Sequence, residues 1–130
     1  MIILDTSAVT ALASGHRKLA RIAENAARSP FRHLLVPALC LMQAEVAEAN
    51  AGLHALSLPG IDVEALDPVA AIAVATMVRD GYGAPDTAHA LYATLPSAHR
   101  PEADLLLTAR HHDYPPGTIT IDIDDDRLLD

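Results

Sequence analysis

Met1-Ile2-Ile3-Leu4-Asp5-Thr6-Ser7-Ala8 is the stretch on which the fold of this chain turns. Four apolar residues run without interruption and stop at a carboxylate. This is the pattern of a short strand buried on both faces, with its first polar group where it leaves the sheet. Thr6 and Ser7 follow at once, both residue types that cap helices, and the next break is Gly15. A helix is therefore expected from there to Ser14. A strand that passes directly into a helix is the first half of a crossover unit.

The same alternation continues outward. A second helix is expected over His16–Arg28, with Leu19, Ile22, Ala23, Ala26 and Ala27 on its apolar face and Ser29-Pro30 as its stop. Leu34–Ala38 reads as a strand and Leu39–Asn50 as a helix ending at Ala51-Gly52. A further helical turn or two leads to the turn at Pro59-Gly60. Ile61–Leu66 alternates apolar and polar residues, as a strand does. Asp67-Pro68 joins a capping carboxylate to a proline at the first helical position, and that helix runs to Arg79 or Asp80. Ala84-Pro85 opens another, to about Leu95. Asp104–Thr108 and Thr118–Ile121 are the fourth and fifth strands. Strands separated by helical crossovers give an α/β sandwich, with a mostly parallel sheet of about five strands and helices on both faces. In such folds working groups gather at the carboxyl ends of strands, where the strand order reverses. Asp5 stands at such an end.

Composition narrows the function classes. The 130 residues make one domain, 1–130, closed by an acidic tail over 122–130. Hydrophobic residues are 51% of the chain and mean hydropathy is +0.21, which argues against a disordered chain. Aromatics are 3% with no Trp, which argues against a base-stacking platform. Cys40 is the single cysteine, so neither an intrachain disulfide nor a multi-cysteine zinc site can form. Asp5 breaks any secretory core at the start, and the longest apolar run, Leu34–Met42, contains Pro37 and is too short for a bilayer. A soluble cytoplasmic setting without membrane contact is the expectation. Net charge is −8, so the molecule as a whole repels nucleic acid at long range. Locally, Arg17, Lys18, Arg21, Arg28 and Arg32 share a stretch in which Glu24 is the one acid. That stretch is either a solvated helix face or a patch for phosphates. Asp122, Asp124, Asp125, Asp126 and Asp130 face Arg127 in the tail, which is expected to be solvated.

Three acids stand in apolar or small surroundings: Asp5 after Ile2-Ile3-Leu4, Glu45 within Leu39–Ala47, and Asp86 in the first turn of the helix after Pro85. An acid so placed needs a cap role, a partner or a metal. Each has a structural reading: Asp5 as a cap for the helix at Thr6, Glu45 turned to solvent beside Glu48, Asp86 favoured by the helix dipole. Each also has a shared reading. Two carboxylates about 4 Å apart repel by roughly 4 kcal/mol at an effective dielectric of 20, and a divalent cation relieves that. Mg²⁺ or Mn²⁺ suits such a site and supplies hydrolytic chemistry on a phosphodiester.

Taken in order, these residues resemble a PIN-domain ribonuclease, most closely the VapC-type toxins of bacterial toxin–antitoxin pairs. Ile2-Ile3-Leu4-Asp5-Thr6-Ser7-Ala8 is similar to that family's opening strand and acid. Glu45, after Val36-Pro37-Ala38, matches its second acid. Asp86, with Ala90 and Ala93 at helical spacing, matches its third, and Leu105-Leu106-Leu107-Thr108 its late strand ending in Thr. The resemblance covers nearly the whole chain. It implies a metal-dependent endoribonuclease in which Asp5, Glu45 and Asp86 are catalytic and bind Mg²⁺ or Mn²⁺, with Ser7 supporting them. It also implies an RNA substrate and a cognate antitoxin as partners, and a homodimer. Arg17, Lys18 and Arg21 would steer the RNA backbone. One position departs from the pattern: Arg110 stands where the family has its fourth acid, with Asp113 as a substitute ligand in the following loop. Arg110 then either clamps phosphate or marks a fold that has lost turnover. A catalytically weak PIN-like module that works through protein contacts is the alternative. A phosphohydrolase of the haloacid-dehalogenase kind would want an Asp where Ser7 stands.

The remaining polar residues carry less. His111-His112 are adjacent, so they are expected to diverge at the surface. His89, three residues after Asp86, either orients that acid or packs within the helix bundle. Cys40, between Leu39 and Leu41, reads as a small buried hydrophobe. Gly81-Tyr82-Gly83 lacks the strand and third glycine of a dinucleotide loop, and there is no Walker A sequence.

Overall fold

The apolar opening, Ile2–Leu4, forms strand β1, and Asp5 caps the helix that follows, α1 (Thr6–Ala13), by accepting from the Ala8 N–H. Thr6 and Ser7, expected as caps, are the first residues inside the helix, because a carboxylate one position earlier already satisfies its open N–H groups. The structure, a computed structural model, describes residues 1–29, 33–96 and 104–128. Pro30, Arg32 and Asp130 lie outside the described residues.

The chain continues as α2 (Arg17–Arg28), β2 (Leu34–Pro37), α3 (Ala38–Ala47), α4 (Ala51–Ser57), β3 (Ile61–Glu64), α5 (Pro68–Arg79), α6 (Pro85–Thr94), β4 (Leu105–Thr108), a single 3₁₀ turn at His111–Asp113, and β5 (Thr120–Asp122). All five strands are parallel, in the order β3-β2-β1-β4-β5. The expected α/β sandwich with helices on both faces is thus present, with a sheet that is wholly rather than mostly parallel. Strand ends differ from the sequence reading by one or two residues.

One boundary is a real correction. Ala51-Gly52 does not end the helix that starts near Leu39; it begins the next one. Glu48 turns extended, φ −145°, which stops the run; Asn50, left-handed at φ 72°, opens α4, and the Glu45 carboxylate receives the Asn50 and Leu53 N–H groups at 2.7 and 3.2 Å. Gly52 permits this: a Cβ there would stand 3.1 Å from the Leu41 carbonyl oxygen and 3.3 Å from Glu45 Oε1.

Ile3, Leu4, Val36, Leu106 and Leu107 are fully buried in the sheet. Each side chain of this kind contributes roughly 1.5–3 kcal/mol by leaving water. The helices close over the strands with small residues, among them Ala8, Ala44, Ala51, Ala55, Ala88 and Ala90, all fully buried. Such surfaces let α1 pack on α3 and α4, α3 on α6, and α5 on α6. Cys40, read as a buried hydrophobe, is fully buried, and burial raises its thiol pKa.

The C-terminal segment is solvated at the side chains of Asp124, Asp126 and Arg127, as expected, but its backbone is docked on the domain. Asp122 belongs to β5, and Ile123 is buried, its N–H bonded to the Thr108 carbonyl. The chain then turns back onto the start of α2. Lys18 Nζ donates to the carbonyl oxygens of Asp124 and Asp125, and His16 Nε2 lies 2.8 Å from Asp124 Oδ1. Lys18 is the member of the basic stretch that meets the acidic one. No helix among the described residues is long and apolar enough to cross a membrane.

Candidate functional site

The strand order reverses between β1 and β4: crossovers from β1 run toward β2 and β3, and the next strand returns to β1's other edge. Asp5 and Thr108 stand at the carboxyl ends of these two strands. In open α/β sheets this crevice is where ligands bind. Here it opens into a cleft of about 660 Å³ whose walls include Thr6, Gln43, Asp86, Thr87, Arg110 and Asp113.

Asp5 does not line the cleft but directly precedes Thr6 and Ser7, which do; it is 4% exposed and receives four hydrogen bonds. Its Oδ1 accepts from Ser7 Oγ at 2.7 Å and from the Ala8 N–H at 3.0 Å. Its Oδ2 accepts from Thr108 Oγ1 at 2.5 Å and from the Tyr114 hydroxyl at 2.8 Å. The two hydroxyls nearest it are themselves tied down. Ser7 Oγ accepts from the Ala109 N–H and Thr108 Oγ1 from the Arg110 N–H, both at 2.9 Å. Ser7 therefore supports Asp5 by a hydrogen bond, as the resemblance implies. Tyr114 is 8% exposed, and burial together with the Asp5 charge raises its phenol pKa.

Asp86 is more open. It is half-buried in the first turn of α6, and Oδ2 accepts from Thr6 Oγ1 at 2.6 Å. The Cys40 thiol donates to its backbone carbonyl at 3.2 Å. Asp86 and Asp5 are thus linked through Thr6, which follows one in sequence and binds the other. His89 does not orient Asp86. It is fully buried, and its Nδ1 accepts from the Leu39 N–H at 3.3 Å, joining α6 to the start of α3. That bond fixes Nε2 as the protonated nitrogen of the neutral ring, and burial lowers the imidazole pKa.

Glu45 does not join this group. Its carboxylate is spent on the N-terminal turn of α4, whose N–H groups lower its pKa. The polar α3 residue that lines the cleft is Gln43, two positions earlier, beside Leu39, Met42 and Ala47. Arg110 and Asp113 both line the cleft, so the loop after β4 brings a cation and a carboxylate to it. Arg17, Lys18 and Arg21 do not line it; they lie on the first turns of α2, where Lys18 is held by the C-terminal segment. His111 and His112 are exposed as expected but do not diverge. The 3₁₀ turn brings their rings to 3.9 Å between centroids.

Comparison with protein-family models, curated proteins and solved structures returns no match for this chain. The chemistry of the cleft therefore rests on its own donors. A divalent cation of the Mg²⁺ type wants oxygen ligands with free lone pairs. Asp5 has none to spare, Glu45 is turned away, and the α3 side chains that line the cleft are one amide and three apolar groups. Among the described residues, no group of three or more His, Cys, Asp or Glu side chains is placed to hold a metal ion. As arranged, these residues do not fit a three-carboxylate metal centre. They line a cleft whose walls are more apolar than polar and which carries one half-open carboxylate, one loop carboxylate and one guanidinium. Gln43 and Thr6 in the cleft, and Tyr114 on Asp5, are the residues that reading the sequence missed. Tyr114 carried one signal, an isolated aromatic in a chain nearly without them.

Proposed function

We propose that this chain is a catalytically weak PIN-like module that acts in the cytoplasm through protein contacts rather than by metal-dependent turnover. The observation that carries this reading is the saturation of Asp5 by four donors. A carboxylate has about four lone-pair directions, and all four are used internally. Arg110 adds a positive charge to the wall of the same cleft, which disfavours a cation there. Net charge of −8 disfavours RNA. Apolar side chains at the surface suit a protein partner: Val69 and Ile72 on α5 are 73% and 71% exposed, and Val46 on α3 is 71% exposed. By the resemblance, that partner is a cognate antitoxin.

The second reading is a Mg²⁺- or Mn²⁺-dependent endoribonuclease, the toxin of a toxin–antitoxin pair. The observation that favours it is that Asp86, Asp113 and Arg110 share one cleft at the switch point of the sheet. A single experiment separates the two. Single-stranded RNA is incubated with the purified chain in Mn²⁺ or Mg²⁺, beside the Asp86→Asn variant. The binding-module reading expects no cleavage above background from either protein. Metal-dependent cleavage that Asp86→Asn abolishes would replace it with the nuclease reading.

A further inference from the structure

We propose that His89 is an acid-released latch between α3 and α6: protonating its ring parts the two helices at the wall of the cleft while the rest of the domain stays folded. The inference goes beyond the function read above. It concerns how the cleft wall moves and holds whichever partner the cleft takes.

The latch answers an unmet need at the start of α3. Pro37, at the cap position, has no side-chain oxygen to offer, so the first N–H groups of the helix lack a local acceptor. The Leu39 N–H is one of them, and the His89 ring, from the middle of α6, accepts it through Nδ1 at 3.3 Å. The other ring nitrogen, Nε2, is buried with no partner among the described residues. The closed latch is thus satisfied on one side only. A second bond crosses the same joint, from the Cys40 thiol to the Asp86 carbonyl at 3.2 Å, and a thiol is a weak donor. Leu39 lines the cleft from α3, and Asp86 lines it from α6. Each of the two bonds therefore has one end on a residue of the cleft wall.

Protonation reverses the contact. An imidazolium has two N–H donors and no acceptor, so Nδ1 would meet the Leu39 N–H donor to donor. It would also set a positive charge at the positive end of the α3 dipole. Burial is the one influence that moves the ring's pKa, and it moves it down. The titratable groups on the elements packed against α6 are engaged elsewhere. On α6 itself these are Asp86, which accepts from Thr6, and Tyr92, three residues past the ring. On α3, Cys40 donates to Asp86 and Glu45 takes two N–H groups of α4. Strands β1, β2 and β4 carry no titratable side chain; next to them, Asp5 holds its four donors, His33 pairs with Asp62, and Asp104 pairs with the N-terminal ammonium. Arg79 is exposed at the end of α5. Once the joint opens, both ring nitrogens reach water and the proton is held without penalty. The hydrogen bonds on Asp5 involve neither His89 nor Leu39, so the floor of the fold keeps its ties while the joint parts.

The chain carries its own reporter. Cys40 is the single cysteine, fully buried and next to Leu39, so its reaction with dithiodipyridine, a disulfide that attacks thiols even in mild acid, reads the opening of the joint. Protection is the labelling rate of the same chain in strong urea divided by its rate in buffer at the same pH, for the full chain and for His89→Gln. The amide of that variant keeps a neutral acceptor for the Leu39 N–H. The expected result is protection that falls about tenfold or more in the parent between about pH 7.5 and about pH 5, with a rate indifferent to low urea, and that changes by less than about twofold in His89→Gln. His89→Asn is the reference if His89→Gln does not melt cooperatively; should neither do so, the urea dependence of the parent's labelling decides alone. Protection in the parent that is flat with pH overturns the latch. So does a fall that the amide variant shares. So does a fall equal to the loss of global stability in urea titrations at the same pH, because the whole domain then opens rather than the joint.

Discussion

Asp5 and Asp86 lie on either side of Thr6, one preceding it in the chain and the other accepting its hydroxyl. Asp5 stands where a strand ends inside the core, so hydroxyls and an N–H from α1, β4 and the following loop converge on it. Asp86 stands in the first turn of a helix at the cleft wall, with one side-chain donor and room beside it. The same functional group is internal mortar in one place and an available acceptor in the other. What decides between the two is the number of donors that the surrounding backbone delivers. Glu45 makes the same point from outside the cleft: two N–H groups of α4 claim it first.

The comparison breaks most easily at Asp5. Asp5→Ala strands three donors in the core and removes the cap of α1, and is expected to cost about 3 kcal/mol or more of unfolding free energy in denaturant titration. Next is His89. His89→Leu leaves the Leu39 N–H without its acceptor and is expected to cost about 1–3 kcal/mol. The same residue has a pH signature. Burial lowers its folded pKa below the ordinary 6.5, so below that pH the unfolded chain takes up a proton that the folded chain resists. Its contribution to stability is whole above pH 6.5 and shrinks as the pH falls toward the folded value. Thermal melts from about pH 8 to about pH 5 should show a slope in the parent that flattens in His89→Leu.

Asp86→Ala sharpens the contrast with Asp5. It loses one part-buried hydrogen bond and is expected to cost about 1 kcal/mol or less. A cost equal to that of Asp5→Ala would erase the distinction between mortar and available acceptor. Glu45→Gln is expected to have the smallest effect, a modest fall in Tm at neutral pH. Because its folded pKa lies below the ordinary 4.5, the carboxylate's contribution is present above pH 4.5 and is lost as the pH falls through the folded value. The difference between parent and variant should therefore close on acidification.

The architecture was legible from Ile2-Ile3-Leu4-Asp5 and Asp67-Pro68, because short apolar runs and capping residues act locally. The position of Glu45 was not. α3 is apolar on nearly every side, from Leu39 and Leu41 to Met42 and Val46, so its sequence carries little information about which face meets the sheet. Two residues along a helix turn a side chain by about 200°, which separates Gln43 at the cleft from Glu45 at α4. The left-handed Asn50 that frees α4 to recruit Glu45 has no hydrophobic pattern to announce it. Tyr114 on Asp5, and Lys18 against Asp124 and Asp125, join residues about a hundred positions apart, and no window of sequence contains both partners.

The central claim is that Asp5 is already satisfied and that the parent cleft has no resident place for a divalent cation. Thermal melting of the parent chain across a Mn²⁺ titration tests it most directly. A ligand at 100 times its dissociation constant raises stability by about 2.7 kcal/mol, which a melt resolves with ease. The account predicts an unchanged Tm up to millimolar Mn²⁺. A rise in Tm that grows with Mn²⁺ and disappears in Asp5→Asn would contradict it.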